Sequence, residues 1–195
     1  MRMLRYVLLA GLLGAAVSVQ AAPTTYKLDP NHTMVLFSWS HFGFSHPTAD
    51  IGISQGTLVY DPQDPAKSSV DVTMPLSLLD THVRALDKHL KEATFFNAEK
   101  YPVITFKSTQ VKPLGDNRFE VIGNLTAHGV TKQVELMAHL NKIGMHPMLK
   151  AQAIGFDATG TLKRSDFGVG AYVPMVSDQI KLRITTEGSV PKAAH

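Results

Sequence analysis

The stretch TMVLFSWSH, residues 33–41, decides the fold. Successive side chains of an extended strand point to opposite sides, so Val35, Phe37, Trp39 and His41 share one face. The other face carries two of the serines and is less aromatic. This alternation predicts a β-strand with two unequal faces, of which the aromatic face is buried.

Runs of the same kind recur along the chain, and each predicts a strand. They span residues 26–28, 56–60, 69–74, 103–108, 119–126, 134–140, 151–162 and 179–187. Turn-forming residues separate most of them, for example in Asp61-Pro62 and in the segment 141–147. Parallel strands need crossovers of a dozen or more residues, so these short connections predict an antiparallel meander.

One segment interrupts the strands. Between Ser77 and Phe96 the apolar residues Leu79, Val83, Leu86 and Leu90 follow helical spacing and predict one amphipathic helix. One helix cannot cover a whole sheet, whereas a sheet closed on itself buries one face and removes its edges. We therefore expect an all-β protein: an extended eight-stranded antiparallel barrel with one short helical segment that caps or flanks it. A β-sandwich is the alternative.

The N-terminus has the pattern of an export signal. Arg2 and Arg5 precede an apolar run at residues 6–17, and Val19-Gln20-Ala21 places small residues where a signal peptidase cuts. The apolar run is short for a membrane span. We expect residues 1–21 to be removed and residues 22–195 to form one periplasmic domain without a stable membrane span.

Composition excludes several kinds of chemistry. The 195 residues include no cysteine, which excludes disulfides, thiol catalysis and cysteine-ligated metals. Nineteen Lys and Arg against sixteen Asp and Glu give a formal net charge of +3, which falls to +1 when Arg2 and Arg5 leave with the signal. A charge this small, without a basic stripe, predicts no nucleic-acid partner.

Motifs that suggest metal binding or catalysis are incomplete. The spacings of His41 with His46 and of His82 with His89 do not place two imidazoles on one face of a strand or helix. The triplet 166–168 is similar to the kinase Asp-Phe-Gly motif but lacks the other kinase motifs, and no serine lies in a nucleophile elbow. We expect no metal, no cofactor and no enzyme activity.

The interior of an eight-stranded barrel is either filled by side chains or holds one slender ligand. Alternation predicts an apolar interior set that would line a tunnel. It consists of Val35, Phe37, Trp39, His41, Val70, Val72, Met74, Ile104, Phe106, Phe119, Val121, Leu125, Leu136, Ile180, Leu182 and Ile184. The small side chains of Val70, Val72, Ala138 and Ala153 favour open space over a packed core.

Six further motifs occur in order along residues 29–178. They are Asp29-Pro30-Asn31-His32-Thr33 with the strand that follows it to Ser45, Asp80-Thr81 with Asp87-x-His89-Leu90 and Phe95-Phe96, Tyr101-Pro102-x-Ile104-x-Phe106-x-Ser108, Gly123-Asn124-Leu125-Thr126-x-His128-Gly129-Val130-Thr131, Arg164-x-Asp166-Phe167-Gly168, and Val176-x-Asp178. Together they resemble the YceI-like family, exported bacterial proteins with an extended lipocalin-like barrel.

The resemblance implies that the barrel binds a long amphiphilic lipid, typically a polyisoprenoid or an isoprenoid quinone, without catalysis. It also implies that Asp87, His89, Arg164 and Asp166 lie at the tunnel mouth or contact the lipid head group. An arginine commonly precedes the Asp-x-His-Leu motif in the family, whereas Leu86 stands there in this chain.

Alternatives remain open at this point. The barrel could have a packed core, with His41, His89 and Asp166 gathered at one mouth for acid–base or metal chemistry, as in an enzyme or a stress-response protein. Another lipid, such as a fatty acid or fatty amide, would also suit an apolar tunnel. The sequence leaves open whether the protein carries, stores or senses its ligand, and whether it forms a homodimer.

Overall fold

The structure, a computed structural model, describes residues 22–192; the predicted signal peptide at 1–21 lies outside them. Eleven strand segments and one α-helix follow one another along the chain. They are β1 (Thr24–Leu28), β2 (Met34–Ser38), β3 (Thr48–Gly52), β4 (Gln55–Tyr60), β5 (Ser69–Pro75), β6 (Leu79–Asp80), α1 (Arg84–Lys91), β7 (Val103–Gly115), β8 (Arg118–Ala127), β9 (Val130–Met145), β10 (Gln152–Lys163) and β11 (Gln179–Ser189).

The segments form a closed antiparallel barrel of eight strands. Three of these strands are each interrupted once. The first consists of β1 and β2, which both pair with β11, and the second consists of β3 and β4, which pair with β2 and β1 respectively. The third consists of β5 and β6. The ring then runs through β5, β7, β8, β9, β10 and β11, and the contact of β11 with β1 closes it. The predicted barrel is confirmed, and the sandwich alternative is wrong.

Sheet pairing shortens the predicted helix. It begins at Arg84 and ends at Lys91, whereas the apolar spacing predicted residues 77–96. Leu79 pairs with Ile51 of β3, so this part of the apolar stripe belongs to the sheet. The strand β3 has no counterpart among the strands predicted from the sequence.

The helix lies where the barrel wall opens. β5 pairs with β7 as far as Pro75 with Val103, but β6 beyond it pairs with β3 alone. The segment from Thr81 to Pro102, including α1, fills the gap between β6 and β7. None of the helices within residues 22–192 is long and apolar enough to span a membrane.

Candidate functional site in the barrel interior

Two adjoining cavities occupy the barrel. The lower cavity, of about 160 Å³, lies towards the β9–β10 hairpin, and the upper cavity, of about 620 Å³, lies under α1. Val35, Met74, Leu125 and Leu182 border both cavities. The barrel is therefore open inside rather than packed, and these four residues form the boundary that the two cavities share.

Aromatic rings cover the lower end. Tyr60, Phe119 and Phe156 meet edge to face, with ring centroids 6.1 to 6.4 Å apart, and border the lower cavity. Tyr60 and Phe119 are buried. Burial raises the pKa of the Tyr60 hydroxyl, with a smaller contribution from the charge of Asp61, so this ring stays neutral.

Three of the five polar side chains that border the lower cavity are hydrogen-bonded within the protein. The hydroxyls of Thr33 and Thr186 lie 2.8 Å apart, and the Ser68 hydroxyl accepts a hydrogen bond from the Asp61 N–H at 3.1 Å. A buried polar group that already has a partner does not require one from a ligand. The lower cavity therefore suits a hydrocarbon.

The upper cavity is covered by α1 and by the loop 164–178. The helix contributes Leu86, His89 and Leu90, and the loop contributes Tyr172 and Val176, among other residues. His41, His89 and Arg164 supply titratable groups in this cavity. Histidine and arginine side chains therefore border the upper cavity and not the lower one.

Arg164 organises the loop that borders the upper cavity. Its guanidinium donates hydrogen bonds to the carbonyl oxygens of Val169 (2.6 Å), Val176 (2.8 Å) and Ser177 (2.9 Å). Burial lowers the pKa of the guanidinium, which nevertheless stays charged because arginine is not deprotonated in proteins. Three charge-assisted bonds from one side chain define an otherwise irregular segment.

The neighbouring contacts tie the same loop to the rest of the barrel. Ser165 donates to Asp178 from its N–H (2.8 Å) and its hydroxyl (2.6 Å). Burial raises the pKa of the Asp178 carboxyl, but these two bonds outweigh it and hold the pKa below its ordinary value. The Ser177 N–H donates to Ser40 O at 2.9 Å, which joins the loop to the β2–β3 connection.

The structure locates the residues predicted from strand alternation. Every residue of the predicted tunnel set borders the lower or the upper cavity. Ala138 also borders the lower cavity, but Ala153 faces a separate polar groove beside His32 and His146, so its small size does not contribute interior space. That these residues contact a ligand stays a prediction.

The predicted mouth residues are separated. His89 and Arg164 border the upper cavity, whereas Asp87 and Asp166 border neither cavity. Asp87 accepts hydrogen bonds from the Thr81 hydroxyl (2.6 Å) and N–H (2.7 Å), which hold the pKa of its carboxyl below the ordinary value. It therefore fixes the start of α1 instead of facing a ligand.

The cluster expected under the enzyme alternative is incomplete. His41 and His89 both border the upper cavity, but Asp166 does not join them. His89 lies 3.0 Å from Glu92 through Nδ1 and packs against the Phe95 ring. The structure therefore does not assemble the acid–base trio of that alternative.

A possible metal-ligand set lies outside the cavities. In the part of the chain that the structure describes, Asp29, His32 and Glu187 are the one group of at least three His, Asp or Glu side chains close enough to share an ion. His32 Nδ1 is 2.8 Å from Asp29 and 3.3 Å from Glu187. The hydrogen bond with Asp29 raises the pKa of His32 and lowers that of Asp29, so these groups already satisfy one another.

Some cavity residues carried no usable sequence signal. Phe42 and Tyr172 border the upper cavity from irregular loops, where no periodicity predicts which side chains face inward. Phe95 and Phe96 also border it, and their only signal was their place in the family motif. Alternation identifies the faces of strands and says nothing about the loops that cover a barrel end.

These features define a class of protein. A closed antiparallel β-barrel with two adjoining, largely apolar cavities, covered at one end by aromatic rings and bordered at the other by a helix, has the architecture of small-molecule-binding barrels such as the lipocalins. Comparison with known proteins then narrows the class to a family.

The family model described as the YceI-like domain matches residues 26–188. Protein YceI of Salmonella arizonae is 38% identical over 182 residues, which cover 92% of this chain and 93% of that protein. A UPF0312 protein of Pectobacterium atrosepticum is 36% identical over 177 residues, 91% of each chain. The chain belongs to the YceI-like family.

Solved structures share the fold. BcnA of Burkholderia cenocepacia superposes with a TM-score of 0.74 at 22% identity, covering 82% of this chain and 98% of that one. A polyisoprenoid binding domain from Saccharophagus degradans superposes with a TM-score of 0.61 at 12% identity, covering 85% and 98%. At these identities the likeness concerns the fold alone.

Proposed function

We propose that this protein binds one long-chain amphiphilic lipid, of the polyisoprenoid or isoprenoid quinone class, inside the barrel, and that it acts as a non-catalytic carrier or store. The observation that carries the proposal is the pair of adjoining, largely apolar cavities between the ring cluster of Tyr60, Phe119 and Phe156 and α1. The name of the Saccharophagus degradans domain, which has the same fold, supports the same ligand class.

The cavity volumes limit the length of the chain. An engineered protein cavity of about 150 Å³ lined by aliphatic and aromatic residues holds one benzene, so the lower cavity has room for about one such group and the upper cavity for about four. Together they accept roughly thirty carbons, or about six isoprene units. A longer chain would extend beyond the barrel.

The polarity of the two cavities suggests an orientation. The lower cavity is bordered mostly by apolar side chains and by no Asp, Glu, Lys, Arg or His, so it suits the end of a hydrocarbon tail. The upper cavity is bordered by His41, His89 and Arg164, which suit a quinone or phosphate head group. We propose that the tail lies in the lower cavity and the head group in the upper one.

A ligand of this kind should remain bound during purification. Complete burial of about thirty carbons at ~0.8 kcal/mol each would exceed the ceiling of about 20 kcal/mol for non-covalent affinity. Ordering of the flexible chain offsets part of this gain, yet a large surplus remains.

A periplasmic location is part of the proposal and depends on the predicted signal peptide.

The sole tryptophan of the chain, Trp39, borders the upper cavity and serves as an internal probe. Purified protein is extracted with organic solvent for mass spectrometry, and delipidated protein is titrated with an isoprenoid quinone, whose ring quenches indole fluorescence. We expect a copurified lipid and a saturable loss of Trp39 fluorescence. A lipid-free preparation that also shows no saturable quenching would contradict the proposal.

A further inference from the structure

Exposed apolar side chains surround the upper end of the barrel. Phe44 is 93% exposed at the tip of the β2–β3 connection, and several neighbours are about half exposed. We call this set the rim: Phe42, Phe44, Val83, Tyr172, Val173 and Met175. Large apolar groups gathered on a surface in this way mark an interaction site.

A hydrogen bond and contacts between rings join the segments that carry the rim. The Phe42 N–H donates to Met175 O at 2.9 Å, which joins the two loops that carry most of the rim. The Tyr172 ring lies 6.1 Å from Phe95 and 6.4 Å from His89, which links the second loop to the helical segment. The three parts are thus held together around one opening.

The rim is also continuous with the interior. Phe42, Val83 and Tyr172 border the upper cavity and are at the same time about half exposed to solvent. Apolar side chains of the upper cavity therefore continue onto the outer surface of the barrel at this end. A lipid leaving the barrel would emerge among the rim side chains.

Two rim residues adopt an unusual backbone conformation. Phe42 has φ = 53° and Tyr172 has φ = 64°, in the left-handed region that bulky residues rarely occupy. Such strain persists where the surrounding structure enforces it, and it concentrates at functional sites. In both cases it presents an aromatic ring at the opening.

We propose that the rim inserts into the surface of a lipid bilayer and places the barrel opening against the membrane. This inference rests on the proposed function, since a bilayer is the source and destination of a lipid that is insoluble in water. Arg84 and Lys88 are exposed on α1 beside the rim, and the helix has three basic residues against one acidic residue. Its charge therefore suits anionic phospholipid head groups.

A bilayer fits the rim better than a second copy of this chain. A partner protein seated on the rim would close the opening at this end of the barrel, whereas a membrane continues its apolar surface into hydrocarbon. Aromatic side chains are also the type enriched at the boundary between head groups and acyl chains.

The test compares two double substitutions in the full-length mature protein. Phe44→Ser with Met175→Ser removes exposed apolar surface from the rim. Met145→Ser with Met148→Ser removes exposed apolar surface from the opposite end, where Met148 is 82% exposed, and serves as the matched control. All four side chains project into solvent, so each variant should unfold at the wild-type temperature.

Binding is measured by flotation with vesicles of phosphatidylethanolamine and phosphatidylglycerol, without added quinone. Burying an aromatic side chain changes an equilibrium by about tenfold or more, so the rim variant should partition into vesicles at least about tenfold more weakly than the wild type and the control. Quinone uptake from detergent micelles is measured separately and should be equal in all three proteins. Vesicles of phosphatidylcholine should bind the wild type more weakly, because they lack the anionic charge.

The two assays separate the two proposals. Absence of quinone uptake from micelles by the wild type contradicts the lipid-binding function, whereas wild-type protein that stays out of the vesicle fraction overturns membrane docking. Equal flotation of rim variant and wild type also overturns it. A wild-type dimer that the rim substitutions convert to a monomer would identify a second copy as the occupant and overturn the proposal as well.

Discussion

Filling the lower cavity should shorten the lipid that the barrel accepts. Ala158 of β10 borders this cavity and lies between Ala138 and Ile184 on the adjacent strands. The substitution Ala158→Phe adds one phenyl ring, and the cavity of about 160 Å³ matches the space of about 150 Å³ that holds a benzene. The ring should therefore occupy the volume proposed for the end of the lipid tail.

The magnitude follows from the carbons displaced. A phenyl ring takes the place of about six tail carbons, which at ~0.8 kcal/mol each sets an upper limit of roughly 5 kcal/mol on the lost binding energy. Chains of about thirty carbons should bind at least tenfold more weakly, whereas chains of about twenty carbons fit the upper cavity and should keep their affinity. The free energy of unfolding should stay within about 2 kcal/mol, because burial of the ring offsets the cost of overpacking.

The assay offers delipidated protein a mixture of isoprenoid quinones of different chain length and identifies the bound species by mass spectrometry, with Trp39 quenching for affinities. Thr159→Phe is the matched control, since Thr159 is the next residue of β10 and faces solvent. An unchanged preference for long chains in Ala158→Phe would refute the proposed tail position. An equal loss for long and short chains would refute it as well.

Two further predictions concern stability. Arg164→Gln removes most of the hydrogen bonds to the loop carbonyls and should lower the free energy of unfolding by about 2 to 4 kcal/mol in urea titrations. Arg183→Gln, on the outer face of β11, is the control and should change the free energy of unfolding by less than about 0.5 kcal/mol. Equal effects of the two substitutions would contradict the role of Arg164. The hydrogen bonds from Thr81 lower the pKa of Asp87, so their contribution is present above the ordinary carboxyl pKa and is lost as the pH falls through the lower, folded-state value. Below about pH 4, wild type should therefore lose more stability than Asp87→Asn; parallel acid profiles for the two proteins would count against this account.

The strands of the barrel and the residues on their interior face were predictable, because strand alternation depends on burial alone. Val35, Phe37 and Trp39 repeat every second residue, and the closed sheet turns that period into an inner wall. The limits of α1 were not predictable in this way. Leu79 fits a helical stripe and a strand equally well, and its pairing with Ile51, a residue distant in sequence, decides between them.

The cover of the upper end depends on contacts that leave no periodic trace. Phe42 and Tyr172 lie in loops whose course depends on hydrogen bonds between backbone groups and on those that the Arg164 guanidinium donates to backbone carbonyls. Asp87 belongs to a family motif, which favoured a contact with the ligand, yet its hydrogen bonds to Thr81 occupy it within the protein. A motif of this kind identifies an important residue without distinguishing a ligand contact from a structural one.

The cluster of Tyr60, Phe119 and Phe156 limits the routes by which a ligand could enter and leave the barrel. Because these rings block one end of the barrel, a guest cannot pass through it and must reverse along the route by which it arrived. A lipid that enters the cavity tail first would therefore leave it head group first. For a carrier of the proposed kind, loading and release would therefore take place at the same opening, in two successive encounters.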